Sequence, residues 1–178
     1  MTVPDTLRDA VARIRSALLA RPATQRFDAR AELVGGTEVT VRTGDRTFTV
    51  DEPRAAGGTD KGPNPIELAL AALGSCQLIT CQLHAARLGV RLESLRVLVE
   101  ADLEMRPVFG IDTPRAPVGN GAPRPTRPAE AIRLRVELAG PEPRERYEEL
   151  HRLVENSCPV LAMTRGTVPV LAELVVNP

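Results

Sequence analysis

Over the first twenty residues, apolar positions recur at three- and four-residue spacing: Leu7, Val11, Ile14 and Leu18. This predicts an amphipathic helix, ended by Arg21-Pro22. Strand-like patterning follows. Phe27 to Val34 alternates loosely, Gly35-Gly36 can turn the chain, and Glu38 to Arg42 and Arg46 to Val50 flank Thr43-Gly44-Asp45 as a hairpin. Gly, Pro and Asp then dominate from Asp51 to Pro63, which reads as an irregular loop.

The next segment starts with three agreeing signals. Asn64 can cap, Pro65 suits a first helical position, and Glu67 falls where a capping-box acid belongs. Leu68 to Leu73 is apolar at every position, so this helix lacks a solvent face and is expected to run through the middle of the structure. It should continue to about Leu88, with Gly89 as its stop. Small residues at Ala71, Ala72, Gly74 and Ser75 allow another backbone to approach near Cys76, and a second copy of the chain could supply it.

Leu95 to Leu103 and Ile132 to Leu138 read as strands, the second alternating cleanly. Between them, residues 106–129 form a long loop rich in proline and glycine. A helix is expected over Pro143 to Val154, a short one over Pro159 to Thr164 closed by Gly166, and a last strand over Val168 to Val176. Strand-rich and helix-rich blocks without a βαβ rhythm favour an α+β fold. Residues 1–22 form a helical extension to a single domain spanning 27–176.

Composition narrows the function classes. With three Phe, one Tyr and no Trp, the core must be built from Leu, Val and Ala. Twenty-three basic residues balance twenty-three acidic ones, which argues against nucleic-acid binding dominated by phosphate contacts. The charged start carries no secretion signal, and the apolar run Ile66 to Leu73 is too short to span a bilayer, so a cytoplasmic location and no membrane association are expected. Three cysteines in a reducing compartment are expected to stay free or to pair only during turnover.

Two of those cysteines stand at informative places. Pro159 makes Cys158 the candidate cap residue of a short helix, where free N–H groups favour a thiolate. Cys76 lies twelve residues into its helix, beyond reach of that helix's dipole, and needs a cation or several donors to become reactive. Arg42, Arg46 and Arg54 are the candidates, and position alone does not choose among them. The bland readings are a packed core cysteine at 76 and a capping Ser157 or Asn156 beside a buried Cys158. Cys76 and Cys81 are five positions apart and do not converge, so zinc is not indicated, and no other cofactor is expected. His84 reads as a surface or helix-end residue, and His151 as a remote candidate proton carrier.

Together, Gly57-Gly58-Thr-Asp-Lys-Gly-Pro-Asn-Pro65, the Leu68-to-Cys76 helix, and Ser157-Cys-Pro-Val160 with Arg165-Gly166 resemble the family of osmotically inducible protein C and the organic hydroperoxide resistance proteins. The resemblance implies an intertwined homodimer in which antiparallel sheets wrap around central helices. It also implies a thiol peroxidase acting on organic hydroperoxides or hydrogen peroxide. By this resemblance, Cys76 is expected at the peroxidatic position and Cys158 at the resolving one, with an external dithiol, small or on a reductant protein, to restore them. In the peroxidases the helix opens Asn-Pro-Glu, and that glutamate pairs with an activating arginine. Here Ile66 stands at that position and the acid is displaced to Glu67, a rotation of about 100 degrees around a helix. Arg42 and Arg46 are the nearest matches for the arginine. The alternative implied by this departure is a non-catalytic dimer that binds a small apolar or thiol-reactive ligand.

Overall fold

The computed structural model describes residues 4–111, 129–166 and 168–175. Helix α1 (Asp5–Ala20) precedes strands β1 (Arg30–Gly35), β2 (Glu38–Thr43) and β3 (Arg46–Val50). Helix α2 (Pro65–Leu88) follows, then β4 (Ser94–Leu103) and β5 (Ala129–Ala139), and finally α3 (Arg144–Ser157) and α4 (Pro159–Thr164). The architecture is α+β, with two antiparallel sheets, β1-β2-β3 and β4-β5. The expected 106–129 loop starts as a short 3-10 turn at Arg106–Phe109, and its greater part lies outside the described residues.

Several elements differ from the sequence expectations, among them β5, which starts at Ala129 rather than Ile132. The first strand begins at Arg30 rather than Phe27, because pairing with β2 starts there, at Arg30 opposite Arg42. Helix α3 continues past Val154 to Ser157 and ends where Cys158 turns extended. The last strand does not form: residues 169–175 carry no ladder, and Val170, Leu171 and Leu174 are 86–94 % exposed. Their pattern suits a strand, but among the described residues no neighbouring strand pairs with them.

The core is small. Val11 of α1, Cys81, Ala85 and Ala86 of α2, Val90 and Leu92 after it, and Leu150 and Val154 of α3 form one buried cluster. Helix α2 lies between α1, α3 and β4, as its uniform apolarity anticipates. By length and composition it could pass for a membrane-crossing helix, with a hydropathy of 1.4 over its most apolar window, against the expectation from the shorter Ile66–Leu73 run. Its burial is nevertheless one-sided. Leu73, Gly74, Gln77, Thr80 and Cys81 are covered, whereas Ala72, Ser75, Ile79 and Leu83 are exposed. The stretch of small residues therefore divides: a Cβ added at Gly74 would sit 3.2 Å from Val99 of β4, while Ala71, Ala72 and Ser75 face outward.

Among the described residues, the three-stranded sheet makes no extensive contact with any helix, and β1 is exposed along its whole length. Among the described residues, eleven apolar side chains are buried and twenty-two large ones are exposed, including Phe27 at 80 % and Leu33 at 71 %. Exposed apolar area of this extent marks a candidate interaction surface.

Asp51 fixes the chain between β3 and α2. It is buried, and its carboxylate accepts from the Thr37 hydroxyl (2.6 Å), the Glu52 N–H (2.9 Å), and the Thr59 N–H (2.8 Å) and hydroxyl (2.6 Å). The loop is drawn so tight that a Cβ at Gly58 would fall 1.8 Å from the Glu52 carbonyl oxygen, and one at Gly62 2.2 Å from that of Thr49. These bonds, the Thr37 and Thr59 hydroxyls foremost, hold the Asp51 carboxyl well below the usual carboxylate range. Removing the acceptor strands several donors at once. Asp51→Ala is therefore expected to lower Tm by roughly 5 °C or more at pH 7 in thermal melts. Because the folded state holds the ionised form more tightly, this contribution is full above the ordinary Asp value near 3.8 and is lost as pH falls below it. The gap between wild type and Asp51→Ala should accordingly narrow in melts below about pH 4.

Candidate active site

The end of α3 and the middle of α2 bring two distant cysteines together. The Cys76 and Cys158 sulfurs stand 3.3 Å apart as free thiols, in hydrogen-bond contact. A disulfide needs about 2.05 Å, so covalent linkage requires only a small further approach. Cys158 is buried and Cys76 half-buried on the margin of the exposed stripe of α2, so the pair has one covered and one accessible member. Cys76 also lies 4.0 Å from the Thr80 hydroxyl one turn on.

Cys158 has the cap position of α4 that its sequence context suggests, with Pro159 in the first turn, but its side chain makes no capping hydrogen bond. The expected net bias toward thiolate does not follow. Burial pushes the Cys158 thiol up, and the adjacent Cys76 adds to that, while the Leu161 backbone N–H pulls the other way. A six-residue helix end, largely shut off from water, does not outweigh desolvation. Cys81 is a different kind of cysteine. It belongs to the core, and burial pushes its thiol up to about 11, which makes it an inert packing residue at neutral pH.

The other candidates are placed as follows. Glu67 closes the capping box: its carboxylate accepts from the Asn64 N–H, and the Asn64 side chain accepts from the Glu67 N–H, both at 2.9 Å. It stands nine positions, about 13 Å along the helix, before Cys76. Arg42 begins the exposed end of β2, and Arg46 opens β3. Both are solvent-exposed on the three-stranded sheet, which makes no extensive contact with α2 among the described residues, and neither is seen to contact Cys76. Arg54 sits on the turn at Arg54–Ala56 and is likewise exposed. His151 is 4.0 Å from Glu155 on α3 and faces a groove between α3 and β5.

His84 is not the free surface residue that its sequence neighbours suggest. Its Nε2 lies 2.7 Å from the Ser157 hydroxyl, and Ser157 donates its own proton to the Leu153 carbonyl at 2.6 Å. His84 must then donate through Nε2, leaving Nδ1 to accept from Arg87 at 3.4 Å. Burial, with Arg87 and Arg15 nearby, favours the neutral ring. The residue directly before Cys158 is thus fastened to α2 two turns beyond Cys76. Gln77 and the His84–Ser157 pair beside the cysteines, and Asp51 in the loop before α2, are structural residues that sequence reasoning missed. Of these, only Ser157 carried a signal, as a possible cap.

Two grooves flank this region. One, of about 570 Å³, runs between β5 and α3 past Leu138, Gly140, Tyr147 and His151. The other, of about 400 Å³, is bounded by Leu73, Ile132, Leu161 and Arg165. Neither is lined by Cys76 or Cys158.

The sequence profile of the OsmC family, described as OsmC-like protein, matches residues 58–173. Among solved structures, an OsmC-like protein from Mycoplasma pneumoniae superposes with a TM-score of 0.62 at 21 % identity, covering 81 % of this chain and 90 % of that one. An organic hydroperoxide resistance protein OsmC from Legionella pneumophila gives 0.57 at 21 % identity, covering 81 % and 92 %. An organic hydroperoxide resistance protein from Elizabethkingia anophelis, solved with thiocyanate bound, gives 0.56 at 20 %, covering 82 % and 91 %. No curated protein matches the chain. The profile spans well over half of the sequence and includes both cysteines, and the folds agree over four-fifths of the chain: the protein belongs to the OsmC-like family.

Proposed function

We propose that the protein is a thiol-dependent peroxidase that reduces organic hydroperoxides or hydrogen peroxide through Cys76 and Cys158. The observation that carries this reading is the 3.3 Å approach of two free thiols from remote parts of the chain, one accessible and one buried. The Cys76 thiolate attacks the outer peroxide oxygen, the O–O bond breaks, and the alcohol or water leaves with a proton while the sulfur becomes a sulfenic acid. The Cys158 thiolate then attacks that sulfur. An S–S bond forms, the S–O bond breaks, and hydroxide departs as water. An external dithiol returns the pair to thiols by exchange.

The working unit in this reading is a homodimer. Ala72, Cys76, Ile79 and Leu83 follow one another at four- and three-residue spacing along α2, so the exposed apolar stripe runs through the reactive cysteine. A second copy laid on this stripe would wall the peroxide site with aliphatic side chains, which suits an organic hydroperoxide. It would also give the unattached three-stranded sheet, with Arg42 and Arg46, something to pack on. An arginine delivered this way supplies the charge that Cys76 needs and steadies the departing oxygen.

The test is mass spectrometry of the intact protein after titration with tert-butyl hydroperoxide or hydrogen peroxide. Loss of two hydrogens at about one equivalent, with a Cys76–Cys158 peptide linkage, is expected. Thiols left unlinked at several equivalents would refute the catalytic reading. They would favour instead a ligand-binding dimer, for which the engagement of Glu67 in the helix cap is the supporting observation.

A further inference from the structure

Gln77, the residue after Cys76, is 1 % exposed, and neither atom of its carboxamide makes a hydrogen bond. That is unusual, because an unsatisfied buried amide costs stability and an aliphatic side chain of like size would avoid the cost. Its immediate surroundings explain little. The cavity beside it is about 10 Å³ and is walled by Cys81, Leu95, Val97, Val136, Leu138 and Val154, with His151 as the other polar side chain. It is at the lower size limit for one water and offers such a water few polar partners. Resting on the peroxidase reading, we propose that the Gln77 amide is held in reserve for the Cys158 thiolate, as the donor that stabilises the resolving sulfur when it ionises to attack Cys76.

The physical case is an asymmetry between two states. A thiol is a weak acceptor and does little for a neighbouring N–H, whereas a thiolate is a strong one. Ionising Cys158 in a buried site is opposed by desolvation, and the amide offsets that opposition only once the charge is present. Unmet hydrogen-bonding capacity in the resting protein thus becomes stabilisation of the reactive form. Gln77 follows Cys76, whose sulfur is 3.3 Å from that of Cys158. It shares a cavity wall with Val154, whose carbonyl accepts the Cys158 N–H. From there it biases Cys158 toward thiolate, in the same sense as the Leu161 N–H. The packed elements carry Cys76 and His84 on α2, His151 and Glu155 on α3, and Arg165 after α4, yet among these only Cys76 acts on the Cys158 sulfur. Cys76 acts against ionisation. Among the described residues, no charged side chain therefore takes the role assigned to the amide.

The experiment compares wild type with Gln77→Met, which keeps length and volume and removes the donor. The initial rate of Cys158 alkylation by iodoacetamide is followed from pH 6 to 10 by peptide mass spectrometry, with thermal melts alongside. Gln77→Met should cut the neutral-pH rate about tenfold and move the Cys158 profile up by about one pH unit. It should leave Tm unchanged or raised, since an unpaired buried amide gives way to an apolar side chain. An unmoved Cys158 profile overturns the proposal. So does a variant that melts lower or fails to fold, because the amide would then be paired in the resting structure. Alkylation consumes no peroxide, so a protein that forms no peroxide-driven disulfide could still pass this test, and the two ideas fail separately.

Discussion

Replacing Cys158 with serine is expected to stop the reaction after one peroxide per Cys76 at stoichiometric peroxide, whereas Cys76→Ser abolishes peroxide consumption from the start. The difference follows from the two environments. Cys76 borders the exposed stripe of α2, where a small substrate can reach it, and Cys158 is sealed beneath the end of α3. Loss of the first nucleophile removes the bond-making atom, and steady-state peroxide reduction should fall by about three orders of magnitude or more. Loss of the second leaves a sulfenic acid with no partner 3.3 Å away. That acid should be trapped by dimedone in Cys158→Ser and not in wild type, and should climb to sulfinic acid under excess peroxide. Cys81→Ala, by contrast, should leave turnover intact and register only as a modest loss of packing. Wild-type turnover in Cys158→Ser with an ordinary dithiol would remove Cys158 from the cycle and leave its contact with Cys76 as packing.

Much of this arrangement was legible in the chain because local chemistry fixed it. Asn64, Pro65 and Glu67 state the start of α2 without tertiary help, and the observed capping box uses all three. Gly89 ends the helix with a positive φ of 66°, as a left-handed stop requires. The place of Cys158 at the head of α4 follows from Pro159 in the same way. Its electrostatics were not legible, because they depend on how deeply α2 and α3 bury the sulfur. His84 and Ser157 are 73 positions apart and meet only after helix packing. Asp51 looked like one more polar loop residue, and its role rests on Thr37 and Thr59 arriving from either side. Residues 168–175 failed as a strand for a related reason. Alternation predicts that a segment can pair, not that a neighbour stands within the same chain.

That unpaired segment, the unattached β1-β2-β3 sheet and the bare stripe of α2 lead to the second large effect, on assembly. The protein is expected to sediment as a dimer at micromolar concentration, with a Tm that rises with protein concentration. Ile79→Glu should convert it largely to monomer. Ile79 is 61 % exposed in the single chain, one turn beyond Cys76 and in line with Leu83. In a two-fold interface each substitution acts twice. Losing the burial of two isoleucines, at about 1.5–3 kcal/mol each, raises the dissociation constant about a hundredfold or more before any cost of burying carboxylates. The same variant should lose peroxide turnover although it lacks neither cysteine, because the wall of the site and the arginine both come from the partner in this reading. An analytical ultracentrifugation run showing wild type as a monomer at tens of micromolar, with a concentration-independent Tm, would refute the dimer. Retained turnover in a monomeric Ile79→Glu would be more informative still: it would show that Cys76 draws its activation from its own chain, and Arg42 and Arg46 would then have no part in it.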